Sequence, residues 1–600
     1  MAQREPWKYT TEEIAEILQV ETFDPPIPSL TDTESWRACV GTPCADMVFD
    51  GTDAMLELPI PQSRATEYLA FWQSGDRAGF EVNYSARRDH LARLWITYCV
   101  THDERRLCAI TDYVWAICEE SSWLMSAHLR NNGSASELPS ARIHQIDLGA
   151  AQTGLLLAEV IASLSPVLHP DLVRRVEEEL ELRILQPFRY RNNFHWQIAE
   201  HNWNAVCHCG VLGTAIYAVR DPRELAAFLM LGLRGLACYL SGFDEDGGVS
   251  EGLLPWSFGF AHYCILSDLL ERRTGGRLSL ISGVPNTREI ARFPIKLHFS
   301  GTRYVTFSDA DESFELTPLI YHYLSTRHAM DLPIQPFRGF RNFNFTVRLF
   351  LMGAYQHTAE YPVHARTDYF RGLMWMISRV RPDDPDTLIL AAKGGHNQEH
   401  HNHNDCGAFI VYYRGESLIA ELGRDTFRRQ MFDAGRYEIL ANRSEGHSIP
   451  VVNGYGQSYG RRFAARFCDH TADADSDLLQ IDIAPCYPDE AGISSLTRTF
   501  RLDRADRGQV TVQDIASFAT AGRLEEVFWT FLEPEYHGGT LTIAGTRGSI
   551  GMTFSSDGVP VEPNIERVNA AVRGTDAYRI AFLIPDAESV RFEVRIFPTR

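Results

Sequence analysis

The chain has 600 residues, of which 44% are hydrophobic and 22% are charged. These values are typical of a globular protein with at least two domains, and they exclude disordered and fibrous proteins. The net charge of −21 argues against nucleic acid as the main partner, because phosphate binding depends on clustered Lys and Arg. An acidic sugar is compatible with this charge, since it needs only a local basic cleft.

The N-terminal segment has no apolar stretch followed by a small-residue cleavage site, and no later segment offers about 18 uninterrupted apolar residues. The twelve cysteines show no framework spacing, which favours reduced thiols. These patterns predict a cytoplasmic protein that does not span a membrane. A periplasmic location is expected instead if a leader has been removed.

Between about residues 60 and 380, apolar residues recur at helical spacing. Two clear runs are Leu107, Ile110, Val114 and Ile117, and then Leu172, Val176, Leu180 and Ile184. Polar or Gly/Pro-containing turns separate the helices. We therefore expect an array of helical hairpins.

After residue 380 the period of the apolar residues changes to two, which indicates strands. The alternating positions include Ile481 and Ile483, Val510 and Val512, and Phe592, Val594 and Ile596. Short runs separated by turns predict antiparallel sheets packed as a sandwich. The sequence thus predicts a helical domain over 1–380 and a β domain over 381–600.

The segment GGHNQEHHNHNDCG opens the β domain and contains five groups able to act as metal ligands or bases. They are His396, His400, His401, His403 and Asp405, just before a strand predicted to begin near Ala408. In an extended segment, side chains two residues apart point to the same side, so His401 and His403 could share one site. Zn²⁺ needs three or four ligands, and Glu421 and His447 lie near the next predicted strands.

HNHNDCGAFIVYYRG and the later RYEILANRSEGHSIPVVNG resemble the C-terminal domain of the heparinase II/III-type polysaccharide lyases. The resemblance is specific over residues 394–457. It is weaker over the helical half, which resembles the (α/α) toroid of these lyases. The implied fold is an N-terminal (α/α) toroid of helical hairpins followed by a C-terminal antiparallel β-sandwich.

The resemblance implies a metal site, with Zn²⁺ as the expected ion, formed by His403, Glu421 and His447. The family usually has Asp where this chain has Glu421, and Glu can also bind Zn²⁺. On this interpretation one structural ion orders the loop, while His401 faces the substrate as a base or charge stabiliser.

In the helical half, HNWNAVCHCG resembles the segment whose Asn contacts the substrate carboxylate, which assigns that role to Asn202. The aromatic residue after it, Trp203, is expected to bind substrate. Arg189 is a further basic candidate for substrate binding.

DGGVSEGLLPWSFGFAHYC resembles the segment that presents the catalytic tyrosine of the family. Phe258 stands where tyrosine is often found, so Tyr263 or His262 would have to act instead. Tyr437 offers a second hydroxyl beside Arg436. Arg436 and Glu251 are also expected to bind substrate.

The function implied is a carbon–oxygen lyase that cleaves a uronic-acid glycan by β-elimination, giving a 4,5-unsaturated uronate. A cytoplasmic location would favour exolytic action or oligosaccharide substrates. One alternative is an (α/α)-toroid glycoside hydrolase using paired carboxylates from among Glu200, Asp246 and Glu251. A second alternative is a non-catalytic glycan-binding relative, which the phenylalanine at position 258 favours.

Overall fold

The structure is a computed structural model, which describes residues 4–132, 136–142, 144–191, 193–330, 332, 342–352, 363–424, 429–432, 434–570 and 574–599. Its two compact units are discontinuous in sequence. The first unit contains Met1–Gly242, Pro255–Thr287 and Glu315–Glu360. The second contains Phe243–Leu254, Arg288–Phe314 and Tyr361–Arg600. The prediction of a single boundary at residue 380 therefore does not describe the observed division.

The first unit is helical. Its longer helices are Thr11–Val20, Ala65–Ser74, Ala78–Thr101, Glu104–Cys118, Leu148–Leu164, Pro170–Leu180, Asn202–Ala218, Pro222–Ser241, Leu253–Arg273, Pro318–His328 and Phe343–Leu351. Shorter ones are Thr33–Ala38, Pro43–Phe49, Thr52–Met55 and Gln186–Tyr190. Successive helices pack side by side, as the predicted hairpin array requires.

Local sequence explains where several of these helices begin and how closely they pack. Asp147 accepts a hydrogen bond from the Ala150 amide and so caps the start of Leu148–Leu164. Asp221 caps Pro222–Ser241 in the same way, as expected for Asp at this position. Gly210 lies against the backbone of Ala151, where a Cβ would clash. The absence of a side chain thus allows helices Leu148–Leu164 and Asn202–Ala218 to approach closely.

Helix Pro222–Ser241 is the one described helix that is long and apolar enough to cross a membrane by length and composition. More than half of its most apolar window is buried inside the protein, as in an ordinary core helix. The expected absence of a membrane partner stays a prediction.

The second unit contains two large antiparallel sheets. The first has five strands in the order Thr367–Phe370, Trp375–Arg379, Ile389–Lys393, Phe409–Tyr413 and Glu416–Ile419. The second follows the path Arg466–Ala472, Ser476–Asp482, Ile493–Asp503, Gln509–Thr530, Thr575–Pro598, Ser549–Ser556, Thr540–Ala544 and Pro534–His537. Strands Val451–Val452, Val559–Pro560 and Asn564–Ala570 join it at the sides. Two small ribbons pair His298–Ser300 with Arg303–Tyr304, and His396–Asn397 with Gly460–Ala464.

The two large sheets enclose a single hydrophobic core, as in a sandwich. Phe409 of the five-stranded sheet lies 5.7 Å from Phe500 and 5.9 Å from Phe528 of the larger sheet, measured between ring centroids. Alternation places Phe592, Val594 and Ile596 in this core, which confirms the strands predicted from these residues.

Two segments from the helical half of the sequence complete the second unit. Phe299 stacks on Tyr412 with ring centroids 4.5 Å apart, and Phe307 lies edge-on to Trp375 at 5.2 Å. The carboxylate of Asp246 accepts a hydrogen bond of 2.8 Å from the Arg371 amide. These contacts bring Glu251 and Asp309 into the same unit as the histidine-rich segment.

Candidate active site

The segment that carries His401 and His403 is a loop, and the strand predicted near Ala408 follows it. The strand begins at Phe409, and His401 has a φ of +58°, in the left-handed region that side chains other than glycine rarely adopt. Such backbone conformations cluster at functional sites. The two histidines share a direction because both reach the same carboxylate, and not because of strand alternation.

That carboxylate is Asp309, which is fully buried. His401 Nδ1 lies 2.9 Å from one of its oxygens, and His403 Nε2 lies 3.1 Å from the other. The guanidinium of Arg436 is 3.5 Å from both oxygens. Burial opposes the charged form, but the hydrogen bonds from His401 and His403 outweigh it and hold the pKa of Asp309 well below its usual range. Asp309 is thus an ionised acceptor between two imidazoles.

An ionised carboxylate only accepts hydrogen bonds, so Asp309 fixes which ring nitrogens carry hydrogen. His401 must donate through Nδ1, which leaves Nε2 for other partners. The side chain of His401 is 28% exposed, and its Nε2 lies 3.8 Å from the buried carboxylate of Glu251. Burial lowers the pKa of His401, but the hydrogen bond and charge of Asp309 outweigh this and raise it overall.

Arg436 and Tyr437 lie beside this pair. Arg436 donates to the Asn402 carbonyl at 2.9 Å, and the Asn402 side-chain amide donates to the Tyr437 hydroxyl at 3.2 Å. Burial raises the pKa of Tyr437 to about 12, so its hydroxyl keeps its proton at neutral pH. Of the predicted site residues, the structure therefore brings His401, Glu251, Arg436 and Tyr437 together in one unit.

A second group of buried side chains lies next to His403. Ligand atoms of His403, Asp405 and His447 lie within 4.8 Å of one another, and all three residues are buried. Glu421, the carboxylate predicted to bind metal, instead contacts His447 Nδ1. Lys393 Nζ donates to Asp405 Oδ1 at 2.5 Å. The predicted ligands His403 and His447 are thus grouped with Asp405, and the assignment of Glu421 as a metal ligand stays a prediction.

The first unit holds Asn202 and Trp203 at the start of helix Asn202–Ala218. Asn202 is largely buried, whereas Trp203 is half-buried. The Trp203 ring lies between two imidazoles, with centroids 4.5 Å from His128 and 5.0 Å from His195. His128 in turn contacts Asp147 at 2.8 Å. An aromatic ring flanked by polar rings suits contact with a sugar.

The surroundings of Tyr263, His262 and Arg189 do not suit their predicted roles. Tyr263 is fully buried and its hydroxyl donates to the Leu280 carbonyl at 2.7 Å. His262 is also fully buried, and burial lowers its pKa to about 4. Arg189 forms ion pairs with Glu181 and Glu224. Neither ring presents a polar atom to solvent, and the Arg189 charge is already matched.

Two of the carboxylates considered for a hydrolase, Asp246 and Glu251, are occupied or buried. Asp246 accepts hydrogen bonds from the backbone amides of Gly248 and Arg371, and Glu251 has a side chain only 2% exposed. Glu200 belongs to the first unit. Paired carboxylates that face one substrate are the requirement for that chemistry, so the hydrolase stays an alternative for experiment to decide.

Asp309 is the main site residue that sequence reasoning missed. It lies 92 positions before His401, and no local motif marks it within SDADES. The one local signal is the left-handed φ of +61° at Ser308, which is visible only in the structure.

Comparison with known proteins identifies the fold. A heparinase III structure with methylated lysines has a TM-score of 0.62 at 12% identity, over 98% of this chain and 88% of that one. Another heparinase III structure has a TM-score of 0.60 at 13% identity, and the match covers 98% of this chain and 89% of that one. This chain has the fold of heparinase III. The predicted fold class, an (α/α) toroid followed by an antiparallel β-sandwich, is confirmed.

A further structure with this heparinase III fold is the heparan sulfate lyase HepC from Pedobacter heparinus. It has a TM-score of 0.58 at 14% identity, over 98% of this chain and 87% of that one. No known sequence family matches the chain, and no curated protein matches it.

Proposed function

We propose that the chain is a carbon–oxygen lyase that cleaves a uronic-acid glycan by β-elimination. The observation that carries the proposal is His401, a partly exposed imidazole held by the fully buried Asp309 in a protein with the heparinase III fold. The pair has the arrangement of a general base oriented by a carboxylate.

His401 Nε2 is the atom that takes the C5 proton of the uronate. Because Asp309 accepts from Nδ1–H, the neutral ring carries its lone pair on Nε2. The same carboxylate stabilises the imidazolium that forms when the proton arrives. The left-handed backbone at His401 holds the ring in this orientation at a cost in conformational energy.

Tyr437 is the proton donor to O4 of the leaving sugar. The Asn402 amide donates to the Tyr437 oxygen, so the hydroxyl hydrogen is directed to another acceptor. As the C5–H bond breaks, its electrons form the C4–C5 double bond, and the C4–O4 bond breaks with its electrons passing to O4. O4 then takes the proton of Tyr437, and no water is consumed.

Asn202 in the first unit is assigned to the uronate carboxyl group by the sequence resemblance, and we keep this as a separate proposal. A carboxamide that donates to the carboxyl group stabilises the enolate-like charge that develops on proton removal. The substitution Asn202→Ala should then lower kcat more than it raises KM, because the charge develops in the transition state. An effect on KM alone would contradict the assignment.

The substrate class follows from the proteins that share the fold. Structures named heparinase III and heparan sulfate lyase do so, and we propose a glycosaminoglycan-type uronic-acid glycan for this chain. Whether oligosaccharides are preferred and cleavage is exolytic, as the sequence analysis expects, is tested by comparing polymers with defined oligomers and sizing the early products.

The decisive experiment is incubation of the purified protein with a panel of uronic-acid glycans. A lyase produces ultraviolet absorbance from the conjugated double bond, and products lighter by one water than those of hydrolysis. New reducing ends without absorbance would indicate the hydrolase alternative. Glycan binding without either product would indicate the non-catalytic alternative, and either result rejects the proposal.

A further inference from the structure

A serine, a histidine and a glutamate of the first unit lie within hydrogen-bond distance of one another, and the lyase proposal uses none of them. Ser282 lies in the turn that follows helix Leu253–Arg273, which carries Glu271, and His328 is the last residue of helix Pro318–His328. The Ser282 hydroxyl is 3.1 Å from His328 Nδ1, and His328 Nε2 is 3.1 Å from Glu271 Oε1. A hydroxyl, an imidazole and a carboxylate in this order form the arrangement that activates a serine nucleophile.

The bonds around His328 determine which of its ring nitrogens carries hydrogen. Burial opposes the charged form of Glu271, but hydrogen bonds from His328 and Ser279 outweigh it and lower the pKa of Glu271. An ionised carboxylate only accepts, so the Tyr323 hydroxyl donates to Glu271 at 3.0 Å. The Tyr323 oxygen then accepts from His328 Nε2, also at 3.0 Å. In the neutral ring Nδ1 therefore holds the lone pair, and Ser282 donates to it.

The serine end of this group reaches the protein surface. Ser282 is half-buried and Gly283 is exposed, whereas Glu271 and Tyr323 are buried. Gly283 has a φ of +81°, and its amide has no hydrogen-bond partner among the described residues. In serine hydrolases, the amide of the residue after the nucleophile commonly donates to the oxygen that becomes charged. Gly283 therefore offers such an amide next to Ser282.

We propose that Ser282 and His328 are the nucleophile and base of a second catalytic site, which hydrolyses short-chain carboxylic esters, and that Glu271 is a positioning residue. Ser282 Oγ bonds to the carbonyl carbon while His328 Nδ1 takes the hydroxyl proton. The ester C–O bond breaks, and the leaving oxygen takes that proton and departs as an alcohol. Water, deprotonated by the same nitrogen, then releases the carboxylic acid and restores the serine.

The exposure of the site sets the size of its substrate. Because Ser282 is only half-buried while the groups behind it are buried, the acyl group is a short one such as acetyl, and the alcohol extends into solvent. The site belongs to the first unit, whereas His401 and Asp309 belong to the second. The proposal therefore does not depend on the lyase activity.

Covalent labelling of the full-length protein tests the nucleophile. The probes are p-nitrophenyl acetate and a fluorophosphonate, which phosphonylates activated serines, and peptide mass spectrometry locates the label. The wild type and the control Ser325→Ala, which removes a half-buried serine of the helix that carries His328, should each take one label at Ser282. Ser282→Ala should lose the label and the acetate hydrolysis, and His328→Gln should be labelled about 10² to 10⁴-fold more slowly. A wild type without label at Ser282, or an equal rate in His328→Gln, would overturn the proposal.

A cysteine substitution distinguishes an activated hydroxyl from one that only stabilises the turn, including the case in which His328→Gln does not fold. In Ser282→Cys, the imidazole of His328 should stabilise the thiolate and hold the thiol pKa below its ordinary value of about 8.5. Alkylation by iodoacetamide as a function of pH, read by peptide mass spectrometry, measures this pKa, and Ser325→Cys is the control. A thiol pKa in Ser282→Cys that is no lower than in Ser325→Cys would reject the proposal.

The same measurement tests Glu271. When Glu271→Gln is added to Ser282→Cys, the imidazolium loses its carboxylate, and the thiol pKa should rise towards its ordinary value. A loss of packing alone would not produce this shift. An unchanged thiol pKa would show that Glu271 does not position the histidine.

Discussion

Asp309 determines the orientation of both loop histidines. Its two oxygens each engage one imidazole, and Arg436 lies against the same carboxylate. The carboxylate therefore connects the proposed base to a predicted metal ligand. A change at this position should act on His401 without removing any group that contacts the substrate.

Asp309→Asn is expected to lower kcat about 10² to 10⁴-fold, because an amide cannot enforce the same His401 tautomer or stabilise its imidazolium. The matched control is Asp311→Asn, whose carboxylate is 45% exposed and pairs with Arg424. Steady-state kinetics on a substrate found by the panel measure both. Equal kcat values for the two variants would contradict the role of Asp309.

Tyr437→Phe is expected to lower kcat by a similar factor of about 10² to 10⁴, because the leaving oxygen loses its proton donor. Tyr459→Phe is the control, since the Tyr459 ring lies 4.9 Å from that of Tyr437 and is exposed.

Tyr263→Phe should leave kcat unchanged and reduce the free energy of unfolding by about 0.5–1.5 kcal/mol, through loss of one buried hydrogen bond. A larger kcat loss in Tyr263→Phe than in Tyr437→Phe would indicate that Tyr263, and not Tyr437, is the catalytic tyrosine.

Two buried histidines make the second unit sensitive to acid. His298 Nε2 donates to the Gly301 carbonyl at 2.9 Å, so its Nδ1 accepts from His364 Nε2 at 3.1 Å. Burial, with further lowering from Arg379, depresses the pKa of His298 to about 4 and that of His364 to about 3. Both rings are therefore neutral in the folded protein at pH 7.

In the unfolded chain these histidines titrate near pH 6.5. The unfolded state thus binds more protons below that pH, and stability is lost as the pH falls from about 6.5 towards 4. We expect the free energy of unfolding to drop by about 2 to 4 kcal/mol between pH 7 and pH 5 from this pair. Urea unfolding should show a smaller drop in His364→Gln, whereas the exposed control His169→Gln should behave as the wild type. An equal drop in all three proteins would contradict this origin.

At the residue scale, the sequence identified the histidines because their density in a short segment is visible without a structure. It did not identify Asp309, because that contact joins distant segments of the chain. It also named Glu421 as the metal-binding carboxylate, and this stays a prediction, because spacing shows which carboxylates are near a site but not which ring nitrogen each one faces.

At the scale of single elements, strand Ile493–Asp503 carries Arg498 into the core of the second unit. Its guanidinium bonds both oxygens of Asp514 at 2.8–3.0 Å and Glu526 at 2.9 Å, and all three residues are fully buried. It also donates to the carbonyls of Gly407 and Ser448. One side chain thus joins the large sheet to the backbone just after the histidine-rich segment and to the backbone next to His447.

Arg498→Met should reduce the free energy of unfolding by about 3–5 kcal/mol, because it leaves two buried carboxylates without their cation. Arg501→Met on the same strand is the control. It pairs with Asp503 and is 48% exposed, so about 0–1 kcal/mol is expected. Denaturant titration measures both, and similar values for the two variants would reject the buried network as a source of stability.

A strand or helix could be predicted from the sequence where its apolar residues keep the same spacing along its whole length. Alternation identified strands such as Ser476–Asp482, whose residues are buried at every second position. It failed at His401, because a single residue with positive φ interrupts the extended chain without any change in composition.

At the scale of the molecule, the second unit draws on three stretches of sequence. Phe243–Leu254 and Arg288–Phe314 supply Glu251, Asp309 and the aromatic rings that pack on Trp375 and Tyr412. The sequence around these stretches has helical spacing, so the pattern of apolar residues does not show that they belong to the second unit. Periodicity could therefore predict the two fold types, but not the division of the chain between the units.

A fragment of residues 381–600, the domain predicted from sequence, should not fold as an independent unit. It lacks strands Thr367–Phe370 and Trp375–Arg379 of the five-stranded sheet, and it exposes the face of Tyr412 that Phe299 covers. We expect weak near-ultraviolet circular dichroism and strong binding of a hydrophobic dye, with the full-length protein as the control. A cooperative thermal transition with native-like dichroism would show that the inserted segments are dispensable.

The discontinuity of the second unit also sets an order of events during synthesis. Glu251 and Asp309 leave the ribosome before the segment that contains His401 has been translated. Their contacts with His401 can form only after that segment has been made. Contacts between such distant residues form slowly and leave apolar surface exposed in the meantime. Much of the first unit can fold while translation continues, so we expect the proposed catalytic machinery to be completed late, with apolar surface of the nascent second unit exposed until then.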